Sequence, residues 1–179
     1  LVGSEMCIRD SPRALSNGSC SLNEGEDRLT LSCIMRVDKK GAVKDSEIVK
    51  SVIRSAHRMT YTEVTQILNG DEETCKKYAD VKDMIFLFAE LTNILKTMRE
   101  KRGSIELDVK EAKIMLDDDG NIVIPDYERS LSHEIIEQFM VLANETVAEY
   151  MHSIEMPFVY RIHEKPAEEK AAMFREFAQ

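Results

Sequence analysis

The sequence predicts an α+β fold with two β-hairpins and four or five helices. Three observations support it: alternating residues flank a turn at 38–41, two further extended segments flank a turn at 117–121, and longer segments repeat apolar residues every three to four positions. A period of two indicates a half-buried strand, and a period near 3.6 indicates an amphipathic helix. The 179 residues, 43% of them hydrophobic, can bury one core or form part of a larger domain.

The first hairpin is predicted over residues 28–55, after a turn at residues 15–18, LSNG. The strand from Arg28 to Asp38 alternates. One of its faces carries Leu29, Leu31, Cys33 and Met35. Residues 38–41, DKKG, form the turn, and Ala42 to Ser55 returns as the second strand.

A capped helix is predicted after the hairpin. Thr60 and Glu63 have the spacing of a capping box, in which each side chain accepts a hydrogen bond from the backbone N–H of the other residue. The residues that face the core are Val64, Ile67 and Leu68. The helix stops at residues 69–70, Asn-Gly. Tyr61 therefore lies in the first helical turn, where a side chain can point out towards a ligand.

One continuous helix is then predicted from Glu72 to Arg102, with Gly103 after its last turn. Its apolar stripe comprises Val81, Met84, Ile85, Phe88, Leu91, Leu95 and Met98. A second hairpin follows, in which residues 112–116 and 122–127 flank the turn. The aspartates at 117–119 lack the spacing of a calcium loop, so we expect them to be solvated turn residues.

The longest predicted unit is a helix followed by a strand, over residues 130–166. The helix begins after Ser130, which can cap it. Its apolar face comprises Leu131, Ile135, Phe139, Leu142, Thr146 and Tyr150, widened by Ile136, Met140, Ala143, Val147 and Ile154. His133, Glu137 and Asn144 share one edge beside that face, where a carboxylate is half sheltered from solvent. After Pro157, the residues FVYRIH predict a short strand, and a further helix begins beyond Pro166.

Charge and cysteine content exclude several classes of function. A net charge of -9 contradicts a free-standing nucleic-acid-binding domain, which would carry a basic face. Either the chain does not bind RNA, or the basic part of the binding surface lies elsewhere in a longer protein. The four cysteines form no CxxC pair and have no nearby His at ligand spacing, which argues against zinc and favours a reducing, cytoplasmic compartment. The longest apolar run, residues 84–89, is too short to cross a membrane.

Three blocks of sequence resemble a known family. The segment IEQFMVLANETVAEY, followed by PFVYRIHEKP, resembles the RNB catalytic domain of the ribonuclease R and ribonuclease II family, whose IEEFM-x-LAN helix precedes an F-x-YR-x-HE-x-P strand. The segment LSNGSCSLNEGEDRLTLS is similar to that family's LSN-x-x-CSL-x-P-x-x-DRL-x-LS pattern, with Glu24-Gly25 where the proline is common. The form RMTYTEV favours the ribonuclease R branch.

The resemblance implies a 3′→5′ exoribonuclease that hydrolyses RNA to nucleoside monophosphates. It implies single-stranded RNA with a free 3′ end as the partner, a cytoplasmic monomer, and Mg²⁺ held by a cluster of aspartates. Neither that cluster nor the family's SPIR-x-Y arginine segment occurs in this sequence, so catalytic residues and metal ligands are expected outside it. Tyr61 and Glu137 match family positions that hold RNA near its 3′ end and favour ribose over deoxyribose. Leu107 stands where the family commonly has a base-stacking aromatic residue.

The sequence also predicts a division of the chain. Residues 1–11, LVGSEMCIRDS, correspond to one reading frame of a common transposase adapter, so we expect them not to be natural. Residues 12–179 are expected to be the central part of an RNB catalytic domain, truncated at both ends. Two alternatives remain at this point: a non-catalytic RNA-binding or scaffold relative of the same fold, and an acidic α+β module that binds another protein.

Overall fold

The computed structural model describes residues 11–105, 115–116, 121–123, 130–162 and 164–178. Leu107, the aspartates at 117–119 and residues 1–10 lie outside the described residues. The elements, in chain order, are a π-helical turn (Ala14–Ser19), β1 (Asp27–Val37), β2 (Val43–Arg54), α1 (Tyr61–Leu68), α2 (Glu72–Lys77), α3 (Lys82–Lys101), β3 (Met115–Leu116), β4 (Ile122–Val123), α4 (Leu131–Ser153) and α5 (Glu168–Phe177). This mixture of helices and hairpins confirms the predicted α+β class.

The chain divides into two compact units, one up to Thr146 and one from Val147. The first unit contains both hairpins and the packed core. The second contains the last turns of α4, the extended segment after it, and α5. None of the described helices is both long enough and apolar enough to cross a membrane.

The first hairpin forms as predicted, with antiparallel strands in which Asp27 lies opposite Arg54. Asp38 Oδ1 accepts hydrogen bonds from the backbone N–H groups of Lys40 and Ala42, at 2.8 and 3.0 Å, which fixes the turn. Gly41 has a φ of 85°, a left-handed conformation that glycine adopts without steric cost. The described part of the second hairpin is also antiparallel, with Leu116 opposite Ile122.

The face predicted for β1 is only partly packed within the described residues. Leu29 and Leu31 are 87% and 76% exposed, whereas Met35 accepts a hydrogen bond of 3.3 Å at Sδ from Thr146 Oγ1 of α4. The strand is confirmed, but in its first half the opposite face, at Arg28, Thr30 and Ser32, is the less exposed one. The predicted face itself is partly buried only in the second half of β1, at Cys33 and Met35, because a strand face is covered only where another element lies over it.

The core of the first unit is centred on Ile67 of α1, which has no exposed surface. It packs with buried Tyr78 and Ile85, and the partly buried residues around this cluster are Met59, Val64, Leu68, Cys75 and Val81. The predicted capping box at the start of α1 is present, and the helix ends at Leu68 with Asn69 as its C-cap. The predicted core face of this helix is thus confirmed.

The prediction of one continuous helix from Glu72 to Arg102 is wrong. Two helices, α2 and α3, are separated at Tyr78, whose φ of -113° and ψ of 36° leave the helical region. The Tyr78 ring lies in the core, and its hydroxyl donates a hydrogen bond of 2.6 Å to Glu63 of α1. These tertiary contacts outweigh the local helical propensity that the apolar stripe reflects.

Helices α3 and α4 are joined by polar pairs as well as by apolar packing. Lys96 Nζ lies 2.8 Å from Glu134 Oε2, and Arg99 Nη1 donates to Gln138 Oε1 at 3.1 Å. The rings of Phe88 and Phe139 meet edge to face, with centroids 5.2 Å apart. Together these contacts fix the position of α3 along α4.

The predicted apolar face of α4 is shifted to one side. Its buried residues are Ser132, Ile135, Gln138, Leu142 and Thr146. Ile136 and Met140, predicted to widen the buried face, are more than half exposed. The polar residues Ser132 and Gln138 were not predicted to be buried. Hydrogen bonds with Thr65 and Arg99 satisfy their side chains inside the structure.

The predicted strand FVYRIH does not form in the described residues. Residues 156–162 have no regular secondary structure, and the rings of Phe158 and Tyr160 contact each other edge to face at 5.3 Å. A strand requires a partner for its backbone hydrogen bonds, and no described strand pairs with this segment. The helix predicted beyond Pro166 is present as α5.

Candidate functional site

Tyr61 begins α1, and the local sequence fixes that start. Thr60 Oγ1 accepts a hydrogen bond of 3.2 Å from the backbone N–H of Glu63, and Glu63 Oε2 accepts one of 2.9 Å from the N–H of Thr60. The cap holds the backbone of Tyr61 in its first helical conformation. Its side chain is 47% exposed, so the phenol is available to a ligand while its backbone is fixed.

The Tyr61 ring stacks on the imidazole of His133 in α4. The ring centroids are 4.0 Å apart and the ring planes are inclined by 20°. Stacked rings at this distance are in direct contact, and such a pair adds stabilisation beyond the area that it buries. The stack joins the first residue of α1 to the first turn of α4.

A chain of hydroxyl groups joins the same two helices beside the stack. Thr65 Oγ1 lies 3.0 Å from Ser132 Oγ, and Ser132 Oγ lies 2.7 Å from Ser130 Oγ. Ser130 Oγ in turn lies 2.8 Å from His133 Nδ1. Ser132 is buried, and these contacts satisfy a hydroxyl that burial would otherwise leave without a partner.

Glu137 lies one helical turn after His133 and is half-buried. Residues four apart on a helix present their side chains on one face, with Cβ atoms about 5–6 Å apart. Glu137 therefore lies one turn along α4 from the residue on which Tyr61 stacks. A phenol hydroxyl and a carboxylate together offer a donor and acceptors to a hydroxylated ligand.

The carboxylate of Glu63 anchors α1 from the side of α2. Lys77 Nζ lies 2.7 Å from Glu63 Oε1, and the Tyr78 hydroxyl donates to the same oxygen. The hydrogen bonds from Lys77 and Tyr78, with those from Thr60, lower the pKa of Glu63 to about 2. The pKa of Lys77 is raised, chiefly by its hydrogen bond to Glu63. Glu63 is therefore an anion near neutral pH and acts in the fold rather than as an acid or base.

An open, mainly apolar cavity of about 930 Å³ lies beside Tyr61. Its apolar wall includes Met59, Val64, Val81, Met84, Ile85, Phe88, Ile135 and Ile136. Tyr61 and Ser132 contribute polar groups at the same cavity. The cavity thus places apolar surface next to hydroxyl groups, a combination typical of small-ligand sites.

The described residues do not form a metal site. Within the part of the chain that the structure describes, no three or more His, Cys, Asp or Glu side chains are grouped so that they could hold a metal ion. We assign no chemical step through a metal to these residues. Their hydroxyl, carboxylate and aromatic groups are suited to binding.

Comparison with known proteins shows that residues 12–179 match the family described as the RNB domain. The chain belongs to the RNB domain family. It is 42% identical over 168 residues to Ribonuclease R 1 of Lactococcus lactis subsp. lactis (strain IL1403), a match that covers 93% of this chain and 21% of that protein. It is 41% identical over 170 residues to Ribonuclease R of Thermotoga maritima, with 94% of this chain and 24% of that protein covered. The chain therefore spans about a quarter of the length of these relatives.

Solved structures of RNB-family proteins agree with this assignment. The apo form of Mycoplasma genitalium RNase R has a TM-score of 0.78 and 29% identity, over 92% of this chain and 26% of that one. The same RNase R in complex with ribose-methylated single-stranded RNA also has a TM-score of 0.78. The resemblance carried by the IEQFMVLAN, DRLTLS and RMTYTEV segments is confirmed.

The residues predicted for the RNB-family site have different outcomes. Tyr61 lies at the first position of α1, as its cap predicts, and it stacks one turn before Glu137 on α4. Leu107 lies outside the described residues. Sequence reasoning placed His133 on the edge that carries Glu137 but gave it no role. Ser130 was predicted only as a cap, and Ser132 was given no role. The Thr65 hydroxyl was also missed, since only the fold brings it to these serines.

Proposed function

We propose that this chain is part of a 3′→5′ exoribonuclease of the RNB family and that Tyr61 and Glu137 contact the ribose near the RNA 3′ end. Identity of about 40% with proteins named ribonuclease R, over nearly the whole chain, supports the activity. Mycoplasma genitalium RNase R, which has the same fold, has been solved in complex with single-stranded and double-stranded RNA, and this supports RNA as the substrate class. The single observation that carries the site is the stack of half-exposed Tyr61 on α4, one turn before Glu137.

The chemistry of ribose explains why these two residues would discriminate RNA from DNA. A 2′-hydroxyl both donates and accepts a hydrogen bond, so it can donate one to a carboxylate and accept one from a phenol. Deoxyribose leaves both protein groups without that partner. Loss of a hydrogen bond to a charged group corresponds to about 1.5–3 kcal/mol, or roughly ten- to a hundredfold in preference.

The proposal extends to the metal and to the division of the chain. We infer that a divalent ion, with Mg²⁺ as the specific choice, is held by carboxylates outside residues 12–179, since the aspartate cluster does not occur in this sequence. We also infer that residues 1–11 are foreign to the fold, which is supported by the family match beginning at residue 12.

The free thiols of Cys20, Cys33 and Cys75 support a cytoplasmic location. A monomeric state remains a prediction.

To test the ribose contact, residues 12–179 replace the matched segment of a full-length ribonuclease R. The binding of this exchange protein to an RNA oligonucleotide is compared with its binding to DNA. The double variant Tyr61→Phe with Glu137→Ala should narrow the ratio of RNA to DNA binding by about ten- to a hundredfold. The control is Tyr150→Phe with Glu149→Ala, which changes the same residue types on exposed positions of α4. If both double variants discriminate as well as the parent, Tyr61 and Glu137 do not read the ribose.

A further inference from the structure

The position of the Tyr61 side chain is not explained by its own helix. The cap fixes the backbone at residue 61, but an exposed tyrosine at the first position of a helix retains several rotamers. A hydroxyl that must meet one oxygen of a ligand requires a defined rotamer. In the structure, the face of the Tyr61 ring lies against His133 at 4.0 Å. The face of the phenol ring is therefore in contact with α4.

The imidazole of His133 is itself held in place. Its Nδ1 lies 2.8 Å from Ser130 Oγ, and Ser130 is linked through Ser132 to Thr65 of α1. Thr65 lies one helical turn after Tyr61, so the two side chains emerge on the same face of α1. The contacts form a closed ring that runs from Tyr61 along α1 to Thr65, across the serines to His133, and back to Tyr61.

We propose that His133 is a positioning residue for the recognition of ribose. Its ring, fixed by the hydroxyls of Ser130 and Ser132, sets the rotamer of Tyr61 and so directs the phenol hydroxyl towards the surface that Glu137 shares. This inference rests on the proposed function and deepens it. The ligand class is the 3′-terminal ribonucleotides of RNA, and the property that His133 controls is the preference for ribose over deoxyribose.

Two substitutions separate stacking from hydrogen bonding. His133→Asn keeps a polar atom near the position of Nδ1 and removes the ring, whereas His133→Phe keeps a ring for Tyr61 and removes the bond to Ser130. In the full-length exchange protein, His133→Asn should lower the RNA-to-DNA ratio by about two- to tenfold, the range expected for loss of one aromatic pair. His133→Phe, which keeps the ring contact but loses the bond to Ser130, should retain more of that ratio than His133→Asn. Neither variant should change binding of the DNA oligonucleotide.

A purely structural role for His133 gives a different pattern. It would weaken RNA and DNA binding together, and the phenylalanine would not restore the preference. That pattern would overturn the inference. Equal RNA-to-DNA ratios in His133→Asn and the parent would overturn it as well.

The stack can also be measured without any ligand. The 179-residue chain contains four histidines, so the Hε1 resonance of His133 can be assigned in a proton spectrum by substitution. Tyr61→Leu should move that resonance downfield by removing the ring current, and Tyr61→Phe should leave it close to its original position. A His133 resonance that does not respond to Tyr61→Leu would show that the rings do not stack in solution.

The outcomes distinguish this inference from the proposed function. If Tyr61→Phe with Glu137→Ala leaves the RNA-to-DNA ratio unchanged, the ribose assignment fails whatever His133 does. If that double variant narrows the ratio and His133→Asn does not, the ribose assignment stands and only the positioning role is wrong.

Discussion

The Tyr78 hydroxyl donates a hydrogen bond of 2.6 Å to the Glu63 carboxylate, and this contact connects three elements of the fold. Glu63 also completes the cap of α1 through Thr60, and it pairs with Lys77 at the end of α2. Tyr78 in turn marks the break between α2 and α3. One carboxylate therefore fixes the start of the helix that presents Tyr61.

The stability of the chain should depend on the ionisation of Glu63. Its pKa is lowered to about 2 from an ordinary value of 4.5, so its stabilising effect is complete above the ordinary value and is lost as the pH falls from about 4.5 towards 2. In urea unfolding, the difference between the parent and Glu63→Gln should be largest near neutral pH and should shrink across that acidic range. Glu72→Gln, which alters an exposed carboxylate on α2, is the control. A difference that stays constant down to about pH 2 would contradict the assignment.

Ile67 should be among the most sensitive core positions. Its side chain has no exposed surface and lies against Tyr78 and Ile85, so truncation leaves a cavity. Ile67→Ala should lower the free energy of unfolding by about 2–5 kcal/mol. Ile105→Ala removes the same atoms from a residue that is 82% exposed, and it should change stability by no more than about 0.5 kcal/mol. Equal effects in chemical denaturation would show that the core is not centred on α1.

A side chain at position 41 should destabilise the turn of the first hairpin. Its φ is 85°, and a Cβ there would lie 3.1 Å from Met98 Cβ on α3. Gly41→Ala should therefore cost about 1–2 kcal/mol from the backbone conformation alone, with the close approach to α3 adding to it. Gly18→Ala is the matched control because nothing lies within 4 Å of a Cβ at that position. Thermal unfolding curves that are shifted equally by the two variants would exclude this explanation.

The sequence was sufficient to predict the features that local chemistry determines. The capping box at Thr60, the turn at Asp38 and the helical stop at Gly103 each depend on residues within four positions of one another. The α+β class followed from the same local periods. The family resemblance assigned a role to Tyr61 and Glu137, which their positions at a helix start and on a helix edge do not supply.

The features that the sequence did not predict depend on residues far apart in the chain. The helix breaks at Tyr78, whose hydroxyl bonds to Glu63, and the buried Ser132 is satisfied by its contact with Thr65. Helical periodicity contains no information about such distant partners. It therefore predicted an unbroken helix through Tyr78 and a purely apolar buried face around Ser132. The stack of Tyr61 on His133 is of the same kind, because only the packing of α1 against α4 brings the rings together.

The 179-residue chain on its own should release no mononucleotides from RNA. Hydrolysis by metal-activated water requires several carboxylates close together around the reacting phosphate, and the family's aspartate cluster and SPIR-x-Y segment do not occur in this sequence. The purified chain would be incubated with Mg²⁺ and an oligoribonucleotide labelled at its 3′ end, and the first product of a 3′→5′ exonuclease would be a labelled mononucleotide. A full-length ribonuclease R serves as the positive control. Release that survives repurification, stops on chelation of the metal and is lost in Tyr61→Leu would show that this chain carries its own catalytic centre.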